Sequence, residues 1–137
     1  MVIIGLALLA VPRVVLHDLG LLSEGTPLNA LLVFAPLVIW IAVALWKRVP
    51  NPFLTLLLVG VFYGVFLALG HQLLWNVGFA DSPVALGGNL ANLDPVLQAV
   101  IIRFFAAVSS LFTGTVVGAV TGLIAWGVQA LPRKLRA

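Results

Sequence analysis

Apolar residues fall in four long runs separated by short polar breaks: about Val2 to Leu22, Leu28 to Trp46, Phe53 to Trp75, and Val96 to about Leu131. A hydrocarbon layer about 30 Å thick takes roughly 20 helical residues to cross, and each run reaches that length. The pattern predicts four transmembrane helices, spanning approximately 2–22, 28–46, 53–75 and 96–131.

The breaks carry the expected punctuation. His17-Asp18-Leu19-Gly20 closes the first run, which also contains Pro12, and Pro27 opens the second. Lys47-Arg48-Val49-Pro50-Asn51-Pro52 reads as a tight turn. A polar, glycine-rich connection runs from Asn76 to Asp94 and includes Asp81-Ser82-Pro83 and Gly87-Gly88-Asn89. Asp94-Pro95 then has the form of an N-cap and first helical position. The last run exceeds one bilayer, so it either tilts or begins crossing near Phe104. Pro36 marks a kink or hinge in the second helix. The opening decapeptide lacks a basic leader, and Pro12-Arg13 stands where a cleavage site belongs, so it reads as a retained first helix.

Composition changes the solvent. The 137 residues are 63% hydrophobic and only 8% charged, against about a quarter charged in soluble domains. Too little polar surface exists to face water, and lipid is the expected partner. The net charge of +3 is carried by few residues at the ends of apolar runs, which argues for membrane orientation and against nucleic acid. Cysteine is absent, which excludes disulfides and thiolate chemistry.

Charge asymmetry then orients the chain. Lys47 and Arg48 follow the second run; Arg133, Lys134 and Arg136 follow the fourth. Four crossings put both groups on one side, the cytoplasmic side by the positive-inside rule. Asp18, Glu24, Asp81 and Asp94 fall in the opposite connections. Trp46 and Trp126 fit the inner interface and Trp75 the outer. The expected fold is a single-domain, all-α integral membrane protein, residues 1–137: a four-transmembrane-helix bundle, N-in and C-in, in a cytoplasmic membrane of bacterial type.

Two stripes of small residues predict close helix packing. The fourth helix carries Ser110, Gly114, Gly118 and Gly122 at every fourth position, and the third carries Gly60, Gly64 and Ala68. Without a hydrophobic drive between helices in lipid, close backbone approach and dispersion must hold them together. Such stripes serve either the chain's own bundle or a homo-oligomer seam. Thr113, Thr115 and Thr121 are positioned to add interhelical hydrogen bonds.

Ionisable residues inside apolar runs are the places to look for function. Arg13 and His17 share a helical face; His71 follows Gly60 and Gly64 on one stripe, and Arg103 precedes Ser110 on another. With a rise of about 1.5 Å per residue, all four reach similar depth near the outer leaflet. A binding cluster of Arg13, His17, His71 and Arg103 is expected there, with Asp18, Asp94 and Gln98 near enough to join. A buried Arg13 calls for a partner such as Asp18 or Asp94, whereas Arg103 has the option of reaching the headgroups. The two histidines are also the only candidates for axial ligation of haem or a metal. No metal site and no cofactor is predicted.

Enzyme signatures are missing: no nucleotide loop, zincin helix pair or nucleophile elbow is present, and no catalytic residue is predicted. Three function classes remain. One is a protein acting by assembly, as a homo-oligomer or accessory subunit of a larger membrane complex. Another is a small transporter or channel with a cationic outer vestibule for anionic solutes. The third is a haem- or quinone-binding subunit.

Overall fold

The computed structural model describes residues 1–80 and 83–134, with side chains through Leu131; Asp81, Ser82 and the basic tail around Arg136 lie outside the described residues. The elements are α1 (Val2–Leu8), α2 (Val11–Asp18), α3 (Pro27–Trp46), α4 (Pro52–Leu73), the single turn α5 (Trp75–Gly78) and α6 (Pro95–Lys134), with a 3₁₀ turn at Gly88–Leu90. No strand occurs among the described residues. Helices α3, α4 and α6 are each long and apolar enough to cross a membrane.

The first run differs from expectation. It forms helices of seven and eight residues instead of one helix over 2–22. Pro12 is the cause: it has no N–H to donate, and its ring crowds the carbonyl four residues back, at Leu8. The chain tightens instead, with Leu9 N donating to Leu6 O at 3.2 Å and Ala10 N to Ala7 O at 3.3 Å. Helix α2 stops early because Gly20 takes a left-handed φ of 69°. Leu21 N then closes on Leu16 O at 2.9 Å, the bond pattern of a glycine-terminated helix end. Pro36, by contrast, leaves α3 helical throughout.

Side-chain caps fix the other starts. Thr26 Oγ1 accepts from Asn29 N, and Asn51 Oδ1 accepts from Leu54 N, each ahead of a proline at the first helical position. Asp94 Oδ1 accepts from Val96 N at 2.9 Å, capping α6 as its sequence implied.

Packing gives the relative directions. Val2, Ile3 and Leu6 share a cavity with Lys47, Val49 and Thr55, while Asp18 meets His71 at the far end of α4. The α1–α2 pair therefore runs beside α4 in the same direction, from the α3–α4 corner to the last turn of α4. Helix α6 runs the opposite way. Gln129 reaches Val49 O at 3.3 Å at one end, and Gln72 reaches the Arg103 carbonyl at 3.0 Å at the other.

The small-residue stripes face each other across α4 and α6. A Cβ on Gly118 would stand 2.7 Å from Leu56 O, one on Gly122 2.8 Å from Phe53 O, and one on Gly64 3.0 Å from Ser110 O. At Gly60 and Gly114 it would collide with the facing backbone. The hydroxyls do not bridge the seam. Ser110, Thr115 and Thr121 donate to Ala106, Leu111 and Val117, each one turn back on α6, which satisfies them locally.

Candidate functional site

His71, in the last turn of α4, stands where two cavities meet. The larger, about 630 Å³, lies between the end of α4 and the first half of α6, lined by Ile102, Phe105 and Ala106 and by Val84–Leu86 of the connection. The smaller, about 240 Å³, is lined by His17, Asp18 and Gly78. His71, Trp75 and Phe79 line both. A mostly apolar cleft thus adjoins a polar recess, and an imidazole stands between them.

The recess is built by close approach. Gly78, ending α5, lies so near the end of α2 that a Cβ there would be 3.1 Å from Asp18 O. Asp18 ends α2, a C-terminal position where the helix dipole disfavours a carboxylate. The His71 imidazole offsets that. His71 Nδ1 lies 2.7 Å from Asp18 Oδ2, and His17 Nδ1 lies 3.5 Å from Asp18 Oδ1. His17 Nε2 in turn is 3.3 Å from Glu24 Oε1.

These contacts constrain the protons. An ionised carboxylate only accepts, so the His71–Asp18 bond places a proton on Nδ1, and Nε2 of a neutral His71 ring is left as an acceptor. Nε2 makes no hydrogen bond among the described residues. Both nitrogens of His17 face carboxylates, which leaves that ring none to offer iron. Among the described residues no group of three or more His, Asp or Glu side chains is arranged to hold a metal ion.

The arginines stand apart from this cluster. Arg13 Nε donates to Asn29 Oδ1 at 3.1 Å, not to Asp18 or Asp94, because its face of α2 turns toward the start of α3. Its neighbours across a separate cavity of about 190 Å³ include Tyr63 and Thr113. Arg103 packs 5.1 Å over the Trp75 ring and donates to Asn76 Oδ1 at 3.3 Å. Gln98 braces the connection instead of the site: its Oε1 accepts from Leu86 N at 3.0 Å, and its Nε2 donates to Leu93 O at 2.8 Å. The expected group of four therefore divides into a His17–Asp18–His71 centre and two arginines held by amides. Glu24, Asn29 and Asn76 were not foreseen as partners; each is a lone polar residue at a helix end or in a connection, without a spacing that marks it.

No family model matches this chain, and no curated protein or solved structure matches it.

Proposed function

We propose that this protein crosses a cytoplasmic membrane four times, with both termini inside, and binds a lipid-soluble ligand in the cleft beside His71. The ligand class is an alkyl- or isoprenoid-tailed molecule with a hydrogen-bonding ring as head group, of which quinones and quinols are the type. One observation carries the reading: His71, positioned by Asp18, joins a 630 Å³ mostly apolar cleft to a 240 Å³ polar recess. The larger volume lies within the range of about 300–1,000 Å³ for small-molecule sites, which are mostly apolar with a few placed polar groups. The apolar part suits a tail, and the recess suits a head group.

Four crossings are supported by the course of α1–α2, which runs beside α4 from the Lys47–Val49 corner to His71. In the tightened turn before Pro12 the carbonyl of Leu6 accepts from Leu9 N and from the Trp40 indole, the kind of neighbouring-helix bond that helps a broken helix persist in lipid. The basic corner and tail orient the bundle. The assembly reading has less support, because the glycine stripes that motivated it are occupied inside the chain. A shared cationic vestibule has less as well, since Arg13 and Arg103 have separate amide partners.

The test uses 2-heptyl-4-hydroxyquinoline N-oxide, whose fluorescence is quenched when protein binds it. Saturable quenching by the nanodisc-embedded protein is expected, weakened about tenfold or more by His71→Ala and by the cleft-filling Ala106→Phe. Quenching that is absent, or equal in all three proteins, would overturn the reading.

A further inference from the structure

We infer that Glu24, His17, Asp18 and His71 form a proton relay between the cleft and the outer aqueous surface, so that the ligand is one whose head group carries a dissociable proton. This rests on the cleft-binding reading and names the chemistry of its occupant.

Four residues from two helices and a connection are strung in strict alternation of acid and imidazole. The steps are 3.3 Å from Glu24 to His17, 3.5 Å from His17 to Asp18 and 2.7 Å from Asp18 to His71. Side-chain exposure is 78% at Glu24, 36% at His17, 10% at Asp18 and 32% at His71, so the least exposed member, Asp18, separates two more open ends. His71, at the inner end, then lines the cleft itself. A structural ion pair would need only the innermost step. Three consecutive contacts ending at a solvated carboxylate make a route.

The transfer balances without electrons. The head-group O–H bond breaks and its proton joins His71 Nε2, while the Nδ1 proton passes to Asp18 Oδ2. A turn of the Asp18 carboxyl presents that proton to His17 Nδ1, and the Nε2 proton of His17 passes to Glu24 and then to water. Each ring turns to reset. The ligand is left as an oxyanion and one proton has entered bulk water. The charged group on this part of α6 is Arg103, stacked on the same Trp75 that lines both cavities, though Arg103 itself lines neither. No other titratable side chain lies in the last two turns of α4 or in α5.

The experiment mixes nanodisc-embedded protein with 2-heptyl-4-hydroxyquinoline N-oxide in weak buffer, at a pH where the free probe is protonated. Probe fluorescence reports binding and a pyranine signal reports protons. In the unaltered protein, proton release should accompany quenching, and the O-methyl ether of the probe should bind without releasing protons. Glu24→Gln and Glu24→Ala, at a residue that lines neither cavity, should leave the probe's equilibrium quenching within about twofold but slow proton release about tenfold or more, within the range removed with a general acid–base group. Quenching without proton release, or release at the original rate in both variants, would overturn the relay and leave the cleft reading standing. Absence of quenching in the unaltered protein would instead sink the cleft reading, and the relay with it. Glu24 is exposed and packs against no core, so its substitution tests the route without threatening the fold.

Discussion

The indole Nε1 of Trp40 donates to the carbonyl of Leu6 at 2.7 Å, tying the middle of α3 to the place where Pro12 interrupts the first run. Trp40 is wholly buried and meets Tyr63 edge to face, with ring centroids 5.9 Å apart. A buried indole N–H needs a partner, and a carbonyl beside a helix break needs a second donor. Trp40→Phe should keep the aromatic contact, lose the hydrogen bond, and lower stability by about 1 kcal/mol. Unfolding in mixed micelles would measure it; an unchanged midpoint would mean that Leu9 N alone suffices for Leu6.

The glycine seam makes a sharper comparison. Gly118→Ala brings a methyl within 2.7 Å of the Leu56 carbonyl, whereas a Cβ at Gly127 on the same helix meets nothing within 4 Å. The first should destabilise by about 1–3 kcal/mol through overpacking. The second should stabilise by about 0.5–1 kcal/mol through helix propensity. Opposite signs in one denaturation series would separate interhelical contact from intrinsic preference.

Asp18→Asn tests proton placement on His71. An amide is able to present its NH₂ to Nδ1, which moves the ring proton to Nε2 and turns the acceptor facing the cleft into a donor. Affinity for a hydroxylated probe should fall about tenfold, while affinity for decylubiquinone, which only accepts, should be kept or improved. Equal losses for both probes would assign Asp18 a purely architectural part.

Orientation is open to direct labelling because the chain has no cysteine. A membrane-impermeant maleimide applied to intact cells should modify Ser23→Cys and spare Lys47→Cys, with the pattern reversed in inside-out vesicles. The same accessibility for both positions would remove the four-crossing arrangement.

Much of the scaffold is legible in the sequence itself. Helices α3, α4 and α6 begin and end within two or three residues of their apolar runs, because proline, Thr26, Asn51 and Asp94 punctuate them chemically. The α1–α2 break was less legible: Pro12 was visible, but apolar content alone does not tell a kinked helix from two short ones. Small-residue spacing identified the tight faces of α4 and α6, though not that they face each other, since spacing names a face and never its partner. The polar cluster shows the same limit. Counting residues gave similar depths for Arg13, His17, His71 and Arg103, but depth carries no azimuth, and Arg13 turns to Asn29. His17 and His71 come together because Asp18, adjacent to one, is brought against the other by α5 closing over the end of α2.

Gln98 holds Leu86, and with it a segment that lines the larger cavity. The other walls come from apolar residues of α4, α5 and α6, so on the proposed topology a guest would arrive sideways, by diffusion in the plane of the bilayer. Occupancy would then follow the guest's mole fraction in the surrounding lipid, so diluting a fixed amount of protein and guest with extra phospholipid would empty the site, while diluting with buffer would not.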